Sequence, residues 1–199
     1  MVKVLVTSFK RFLLGLRRPS KATNLRLMRE RGEDLNAFKI REARREELKE
    51  LADLHVTTWN DTYPYVKNKP THQIREYQWK KMFELKEKNW FCFVVEDRHG
   101  KLVAFATGNT YEEGDLPYAG QLNKIYVLRN YQRLGLGRKL MQCVACRFKE
   151  MGVNSMLLFS EAANPSTRFY EAMGGQRLYD PKGNFHGGYG WRSLEQIIN

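Results

Sequence analysis

The chain has 199 residues, of which 42% are hydrophobic and 13% aromatic, as expected for one folded domain and not for a disordered chain. No stretch approaches the roughly 18 uninterrupted apolar residues of a membrane span, and three cysteines favour neither a disulfide framework nor a zinc site. The net charge of +12 favours polyanionic partners such as nucleic acid, anionic lipid or a phosphate-rich cofactor. We therefore expect a cytoplasmic protein with reduced thiols and no bound metal.

The N-terminal extension is predicted to be basic and amphipathic. Residues 1–34 contain nine Lys or Arg against three Asp or Glu, which is half of the net charge. Lys10 and Arg11 interrupt the apolar core that a secretory signal would need. Residues 1–20 either touch a membrane surface weakly or dock on their own domain or on a second subunit, and docking is favoured. The predicted organisation is an extension and polar connector at 1–37, followed by a domain at 38–199.

The domain is predicted to mix strands with amphipathic helices. Strands are expected where apolar residues alternate or form short runs, and helices where they recur every three or four residues. The predicted elements are strand 38–43, helices 44–56 and 72–88, strands 91–96, 101–108 and 122–128, a helix around 140–148, strand 155–159, helix 165–173, and strands 176–179 and 188–194. Gly100 is expected to close a hairpin turn between the second and third strands. This order favours a mostly antiparallel sheet followed by a β–α–β crossover.

Residues 123–140 are the stretch around which this domain is organised. A short apolar run is followed by Gln132-x-x-Gly135-x-Gly137 and then by helical periodicity. The glycines leave backbone N–H groups uncovered where a helix begins, and a helix N-terminus offers orphan donors and a partial positive charge. Arg133 and Arg138 add cationic side chains. The pattern predicts a phosphate-binding loop, with a purely steric role for the glycines as the alternative.

This loop resembles the pyrophosphate loop of the GNAT superfamily, the acetyl-CoA-dependent N-acetyltransferases. It matches neither the dinucleotide fingerprint nor the P-loop pattern. Residues 164–171, Asn-Pro-Ser-Thr-Arg-Phe-Tyr-Glu, resemble a second signature of the same family, in which an asparagine precedes Phe-Tyr-Glu. The resemblance covers about residues 38–194. It implies an α/β fold in which a mixed, mostly antiparallel central sheet is flanked by helices.

The resemblance also implies roles for individual residues toward acetyl-CoA. The strand residues Ile125, Tyr126 and Val127 would meet the thioester with their backbone, and Asn164 would hold the pantetheine arm. Tyr170 would protonate the departing thiolate. The loop residues implied to hold the pyrophosphate are Gln132, Arg133, Leu134, Gly135, Leu136, Gly137 and Arg138. Without the resemblance, Asn164 would be interpreted as a helix N-cap and Tyr170 as a core residue.

The group that removes the proton from the amine is less well defined by the sequence. Many relatives carry a glutamate near the start of the fourth strand, where this chain has Gln121, which cannot act as a base. The amine must be neutral to attack, so a base or a chain of water molecules must take its proton. Ordered water is the first choice for this role. The alternatives among carboxylates are Glu112, Glu113, Asp115 and Glu161.

The acceptor side is predicted from aromatic residues after the first helix of the domain. Trp59 and Tyr63 resemble the acceptor-site wall of GNAT enzymes that act on small molecules, and Gln121 is a further candidate for contact with substrate. His55 lies one helical turn before Trp59 and either faces the cleft or is a core histidine, with the core favoured.

The function implied by the resemblance is transfer of an acetyl group from acetyl-CoA to a primary amine of a small molecule. Acetylation of a peptide or protein amine stays open, as does an acyl-CoA sensor without turnover. Nucleic acid is not expected as a partner, because the basic arm lacks interleaved aromatic residues. A homodimer remains open.

Overall fold

A single seven-stranded sheet organises the protein in the computed structural model, which describes residues 19–85, 89–112, 116–162 and 164–199. The strands are β1 (Lys39–Glu42), β2 (Phe91–Glu96), β3 (Leu102–Thr110), β4 (Gly120–Val127), β5 (Met156–Phe159), β6 (Gln176–Tyr179) and β7 (Phe185–Trp191). Their order in the sheet is β1-β2-β3-β4-β5-β7-β6. All neighbours are antiparallel except β4 and β5, which confirms the predicted mixed sheet with one crossover.

Helices cover both faces of this sheet. They are α1 (Lys21–Glu30), α2 (Leu48–Thr62), α3 (His72–Leu85), α4 (Leu136–Glu150), α5 (Thr167–Ala172) and α6 (Glu195–Ile198), with short 3-10 turns at Arg45–Glu47 and Arg129–Tyr131. Within the described ranges, none of them is long and apolar enough to cross a membrane.

The predicted elements are confirmed, with shifted boundaries. Helix α2 continues to Thr62, six residues beyond the predicted end at 56, and β7 begins at Phe185 instead of 188. Helix α6 was not predicted. The hairpin turn forms as expected, since Gly100 has a positive φ of 80°.

Two apolar layers hold the sheet. On one face, α4 buries its predicted stripe, which includes Leu140, Val144 and Phe148, in the larger core cluster. On the other face, α2 and α3 pack over a smaller cluster that contains Leu51, Trp79 and Phe105. Burial of these apolar groups is the main term that favours folding.

The sheet opens between β4 and β5. These two strands pair only at Gly120 with Met156 and at Gln121 with Leu157. Strand β5 then pairs with β7 along all four of its residues, from Met156 to Phe159. From residue 122 onward, β4 therefore has no strand partner on this side in the described part of the chain, and a crevice forms between the diverging strands.

Within the predicted extension and connector at 1–37, residues Lys21–Glu30 form helix α1, which packs against the domain. Ser20 caps α1 by accepting from the Thr23 amide at 3.0 Å. The buried Asn24 donates its side-chain amide to the carbonyl oxygens of Arg129, at 3.0 Å, and Gln132, at 2.7 Å. Sequence reasoning missed this helix because its buried face is narrow and polar at Asn24. The predicted amphipathic segment at 1–20 falls almost wholly outside the described residues.

Replacing Asn24 with leucine should destabilise the protein. The change keeps the size of the side chain but removes the donor to the Gln132 carbonyl, which costs about 1–3 kcal/mol for a buried acceptor. Urea denaturation should show this loss in the free energy of unfolding. The matched control is Asn36→Leu at an exposed loop position, with an expected change within about 0.5 kcal/mol. Equal stability of Asn24→Leu and the wild type would show that α1 does not support this loop.

Candidate active site

A cavity of about 600 Å³ occupies the crevice between β4 and β5. Its walls combine the free side of β4, the turn before α4, the start of α5 and the end of α2. The predicted site residues that line it are Tyr63, Ile125, Tyr126, Val127, Gln132, Arg133, Gly135, Gly137, Arg138, Asn164 and Tyr170. Ser20 and Lys21, at the start of α1, also line it and were not predicted.

The turn before α4 has the backbone geometry of an anion site. Gly135 adopts the left-handed region at φ 86°, and Arg133 does so at φ 65°. The first backbone bond of the helix runs from the Lys139 N–H to the Gly135 carbonyl, at 3.1 Å. The preceding amides, those of residues 136–138, are therefore the orphan donors of a helix N-terminus. Leu134 and Leu136 are buried, so only their backbone can take part in binding.

The same turn has the space and the charge that a phosphate group requires. A Cβ atom built on Gly135 would meet no other atom within 4 Å, so the glycine faces open volume. Arg133, Arg138 and Lys21 line the cavity around it. Orphan amides, positive side chains and free volume together fit a pyrophosphate.

The free side of β4 presents backbone groups to the same cavity. Asn123 lies where the register between β3 and β4 shifts, and the strand beyond it runs along the opening. Ile125 and Val127 pack toward the larger core, whereas Tyr126 packs toward the smaller one. Gln132 donates its side-chain amide to the Val127 carbonyl at 3.1 Å, which joins the loop to the end of the strand. An extended ligand can therefore hydrogen-bond with β4 where β5 has turned away.

Asn164 and Tyr170 lie across the crevice from β4. Asn164 is buried and accepts a hydrogen bond from the Ser166 amide at 2.8 Å, so its turn-forming role and its place in the cavity coexist. Its side-chain amide donates to the Tyr63 hydroxyl at 3.0 Å. Tyr170 is 5% exposed and packs against Tyr189, with ring centroids 5.4 Å apart. These contacts fix both side chains at the cavity wall.

The predicted acceptor residues do not all reach the cavity. Tyr63 does, and the burial of its phenol together with the nearby charge of Glu161 raises its pKa. Trp59 lies behind it, with ring centroids 5.3 Å apart, and supports the Tyr63 ring instead of forming the wall itself. Gln121 pairs with Leu157 in the closed part of the sheet and does not line the cavity.

Of the carboxylates considered as bases, Glu161 is the one near this wall. It accepts a hydrogen bond from the Tyr65 hydroxyl at 3.1 Å, and its charge contributes to the raised pKa of Tyr126. Glu112 instead accepts from Thr110, at 3.0 Å, at the end of β3. Residues 113 and 115 lie outside the described residues.

Two cationic residues near the site were missed by sequence reasoning. Lys124 lines the cavity from β4, and Arg75 on α3 lies close enough to act electrostatically on Lys124 and on His55. A signal for Lys124 was present, because it stands in an apolar strand two residues before Tyr126. Its side chain therefore shares a face with Tyr126, the face that α2 and α3 cover. Arg75 had no such signal, since basic residues are common throughout α3. His55 is 2% exposed, so the favoured core interpretation agrees with its burial.

Comparison with known proteins gives a consistent assignment. The model of the acetyltransferase (GNAT) family matches residues 48–175. The chain is 30% identical over 167 residues to the uncharacterized N-acetyltransferase YuaI of Bacillus subtilis (strain 168), an alignment that covers 79% of this chain and 95% of YuaI.

Solved structures share the fold at low sequence identity. One is the PaiA N-acetyltransferase from Thermoplasma acidophilum in complex with coenzyme A, with a TM-score of 0.58 and 14% identity over 77% of this chain and 97% of that one. Another is YncA of Salmonella typhimurium with its cofactor acetyl-CoA, with a TM-score of 0.59 and 18% identity over 80% of this chain and 95% of that one.

The family match spans α2 to α5, which includes strands β2 to β5 and the turn before α4. This match and the identity to YuaI show that the chain belongs to the GNAT family of acetyltransferases.

Proposed function

We propose that the protein transfers the acetyl group of acetyl-CoA to the primary amine of a small molecule. The observation that carries the proposal is the crevice between β4 and β5, which has the orphan amides before α4 at one end and Asn164 and Tyr170 along its wall. Acetyl-CoA supplies an activated acyl group whose thiolate is a good leaving group. The chain must bind it, polarise its carbonyl and manage two protons.

Binding is assigned to groups on both sides of the crevice. The amides before α4 and the cations Arg133 and Arg138 hold the pyrophosphate, because a helix N-terminus and nearby positive charge favour an anion. The free backbone of β4 and the side chain of Asn164 bind the pantetheine amides. The side chains of Leu134 and Leu136 take no part in binding, because they lie in the core.

Polarisation of the carbonyl is assigned to the backbone N–H groups of β4 around Ile125 to Val127. Negative charge develops on the carbonyl oxygen as the amine attacks, and fixed donors stabilise that charge without reorganising. Donation of a proton to the departing sulfur is assigned to Tyr170, and its position in the cavity wall supports this assignment. The proton lost by the amine is assigned to water, which passes it to Glu161. Among the described carboxylates that were considered as bases, Glu161 is the one near this wall.

A small acceptor is favoured by two contacts that cross the acceptor end of the crevice. The Tyr63 hydroxyl joins Asn164, and the Tyr65 hydroxyl joins Glu161. The segment after α2 is thereby tied to residues beyond β5. These ties narrow the opening through which a folded protein or a long peptide would have to enter.

Replacing Gly135 with alanine should weaken acetyl-CoA binding by about 10- to 100-fold, the effect of losing one charge-assisted hydrogen bond. The added methyl group would project into the volume assigned to the pyrophosphate. Calorimetric titration with acetyl-CoA measures the change.

The matched control for Gly135 is Gly100→Ala. Gly100 has a similar φ of 80° and also has no atom within 4 Å of a built Cβ, but it lies in the β2–β3 turn. Both variants carry comparable backbone strain. Equal losses of affinity in the two variants would mean that strain, and not blocked phosphate binding, explains the result.

Replacing Tyr170 with phenylalanine should lower kcat by about 10²-fold, at the low end of general-acid effects because a thiolate leaves readily. The affinity for acetyl-CoA should stay unchanged, since the hydroxyl acts mainly in the transition state. The measurement is single-turnover acetylation of an amine identified by CoA release. Tyr179→Phe, on the exposed Tyr179, is the control and should leave the rate unchanged. A wild-type single-turnover rate in Tyr170→Phe would assign the proton to water.

A further inference from the structure

Three basic side chains converge beneath α2 and α3, on the face of the sheet opposite α4. We call them the cation cluster: His55 on α2, Arg75 on α3 and Lys124 on β4. The His55 ring contacts the rings of Phe105, at 5.3 Å between centroids, and Tyr126, at 5.4 Å. Lys124 lies two residues before Tyr126 in β4. Residues two apart in a strand point to the same face of the sheet, so Lys124 belongs to this face.

Arg75 is brought to the cluster by the helix that carries it. It lies one turn before Trp79, whose ring contacts His55 with centroids 5.9 Å apart. Residues four apart share one face of a helix, so Arg75 projects over the same region. Its charge acts on both His55 and Lys124.

The cluster is buried enough for its charges to be costly. Desolvation is the largest cause that lowers the pKa of each member. The pKa of His55 falls to about 3, so its ring is neutral near pH 7 and the positive charge of the cluster is carried by Arg75 and Lys124. Mutual repulsion lowers the pKa of His55 and Lys124 further. Buried cations normally have a carboxylate partner to offset this cost.

No such partner is present among the described residues. Neither Arg75 nor Lys124 forms an ion pair with any carboxylate in the described ranges. Arg41, on the first strand of the same sheet, shows the usual arrangement: its guanidinium contacts Glu47 at 2.6 Å and Glu96 at 2.7 Å. The cation cluster lacks the negative charge that would balance it.

Unpartnered polar atoms surround the same point. Eight buried side-chain nitrogen or oxygen atoms have no hydrogen-bond partner in the described part of the chain, and four belong to this region. They are His55 Nδ1, Arg75 Nε, Trp79 Nε1 and Thr107 Oγ1. Thr107 stands directly opposite Lys124 in the β3–β4 ladder. His55 and Thr107 are 2% and 1% exposed, so their polar atoms are also shielded from solvent. Buried polar atoms are normally satisfied, and a cluster of exceptions points to a missing polar group.

We propose that the acceptor amine carries an oxyanionic group, a carboxylate, which Lys124 binds with support from the positive charge of Arg75. This inference rests on the proposed acetyl transfer and names the class of its acceptor. Lys124 is the member that lines the cavity, as Tyr63 and Tyr126 also do, whereas Arg75 does not line it and acts on Lys124 through its charge. Glu161 supplies negative charge near the same wall. This arrangement of charges matches an amino acid, whose amine and carboxylate are of opposite sign.

The test compares pairs of amines that differ only in the carboxylate. The common amino acids and their α-carboxamides are assayed with the full chain by acetyl-CoA-dependent CoA release, and acetyl-CoA affinity is measured in parallel by calorimetry. The amide has the more readily deprotonated amine, so a preference for the acid opposes intrinsic reactivity. The variants are Arg75→Met and Lys124→Met, and the control is Lys80→Met, an exposed position on α3.

We expect the best acid to exceed its amide in kcat/KM. Lys124→Met should lower kcat/KM for the acid by about 10- to 100-fold, the effect of losing a charge-assisted hydrogen bond, and Arg75→Met should lower it by less. The loss should appear mainly in KM, and activity with the amide should change little. Lys80→Met should match the wild type. A preference for amides, or an acid preference that survives in both variants, overturns the inference while leaving acetyl transfer intact. A loss confined to kcat for acids and amides alike also overturns it, because Lys124 would then be acting on the amine.

Two further outcomes separate the inference from the function on which it rests. Absence of acetyl-CoA binding in the wild type defeats the proposed function itself. If acetyl-CoA binds but neither member of any acid and amide pair reacts, the anion site is tested by the melting temperature of the acetyl-CoA complex. It is measured with and without each amino acid at constant ionic strength. At least one amino acid should raise it by about 2 °C or more in the wild type and Lys80→Met, but not in Lys124→Met. No such difference between the variants would overturn the anion site.

Discussion

The structure depends on one interruption of backbone hydrogen bonding, the divergence of β5 from β4 after two residue pairs. Elsewhere in the described sheet, each inner strand has a strand partner on both sides, which satisfies its backbone groups. Here β5 turns to β7, and the bond from the Ser160 amide to the Gly187 carbonyl, at 3.0 Å, continues that pairing beyond the strand. A Cβ atom built on Gly187 would lie 2.0 Å from the Ser160 oxygen, so only glycine allows so close an approach. The backbone of β4 is left for a ligand.

The surrounding elements hold this opening in shape. The turn before α4 is fixed from outside by Asn24, which bonds two of its carbonyl groups, and from inside by the Gln132 side chain. The end of the crevice near α2 is fixed by the hydrogen bond that the Asn164 side-chain amide donates to the Tyr63 hydroxyl. Each tie joins segments far apart in sequence, so the crevice is a property of the whole fold and not of a local motif. The ligand therefore meets groups that are already oriented, which reduces the entropy lost on binding.

Sequence patterns predicted what depends on short-range periodicity and spacing. The strands, the stripe of α4 and the glycine turn are local signals, and the structure contains all of them. Helix α1 escaped prediction because its role depends on contacts with residues more than 100 positions away. Arg75 was missed for the same reason, because its role depends on which face of α3 covers β4. Gln121 was placed by analogy near the acceptor, but pairing with β5 holds it in the closed part of the sheet.

Strand β4 separates two kinds of unsatisfied polarity. On the side of α4, orphan amides and exposed cations are available to bind phosphate. Water can solvate these groups in the free protein. On the side of α2 and α3, Lys124 and Arg75 are partly buried, so a missing anion there costs stability as well as affinity. A protein tolerates such a cost chiefly at functional sites, where strain or desolvation is recovered on binding. The tolerated imbalance beneath α2 and α3 therefore supports the proposed acceptor side of the crevice independently of the glycine loop.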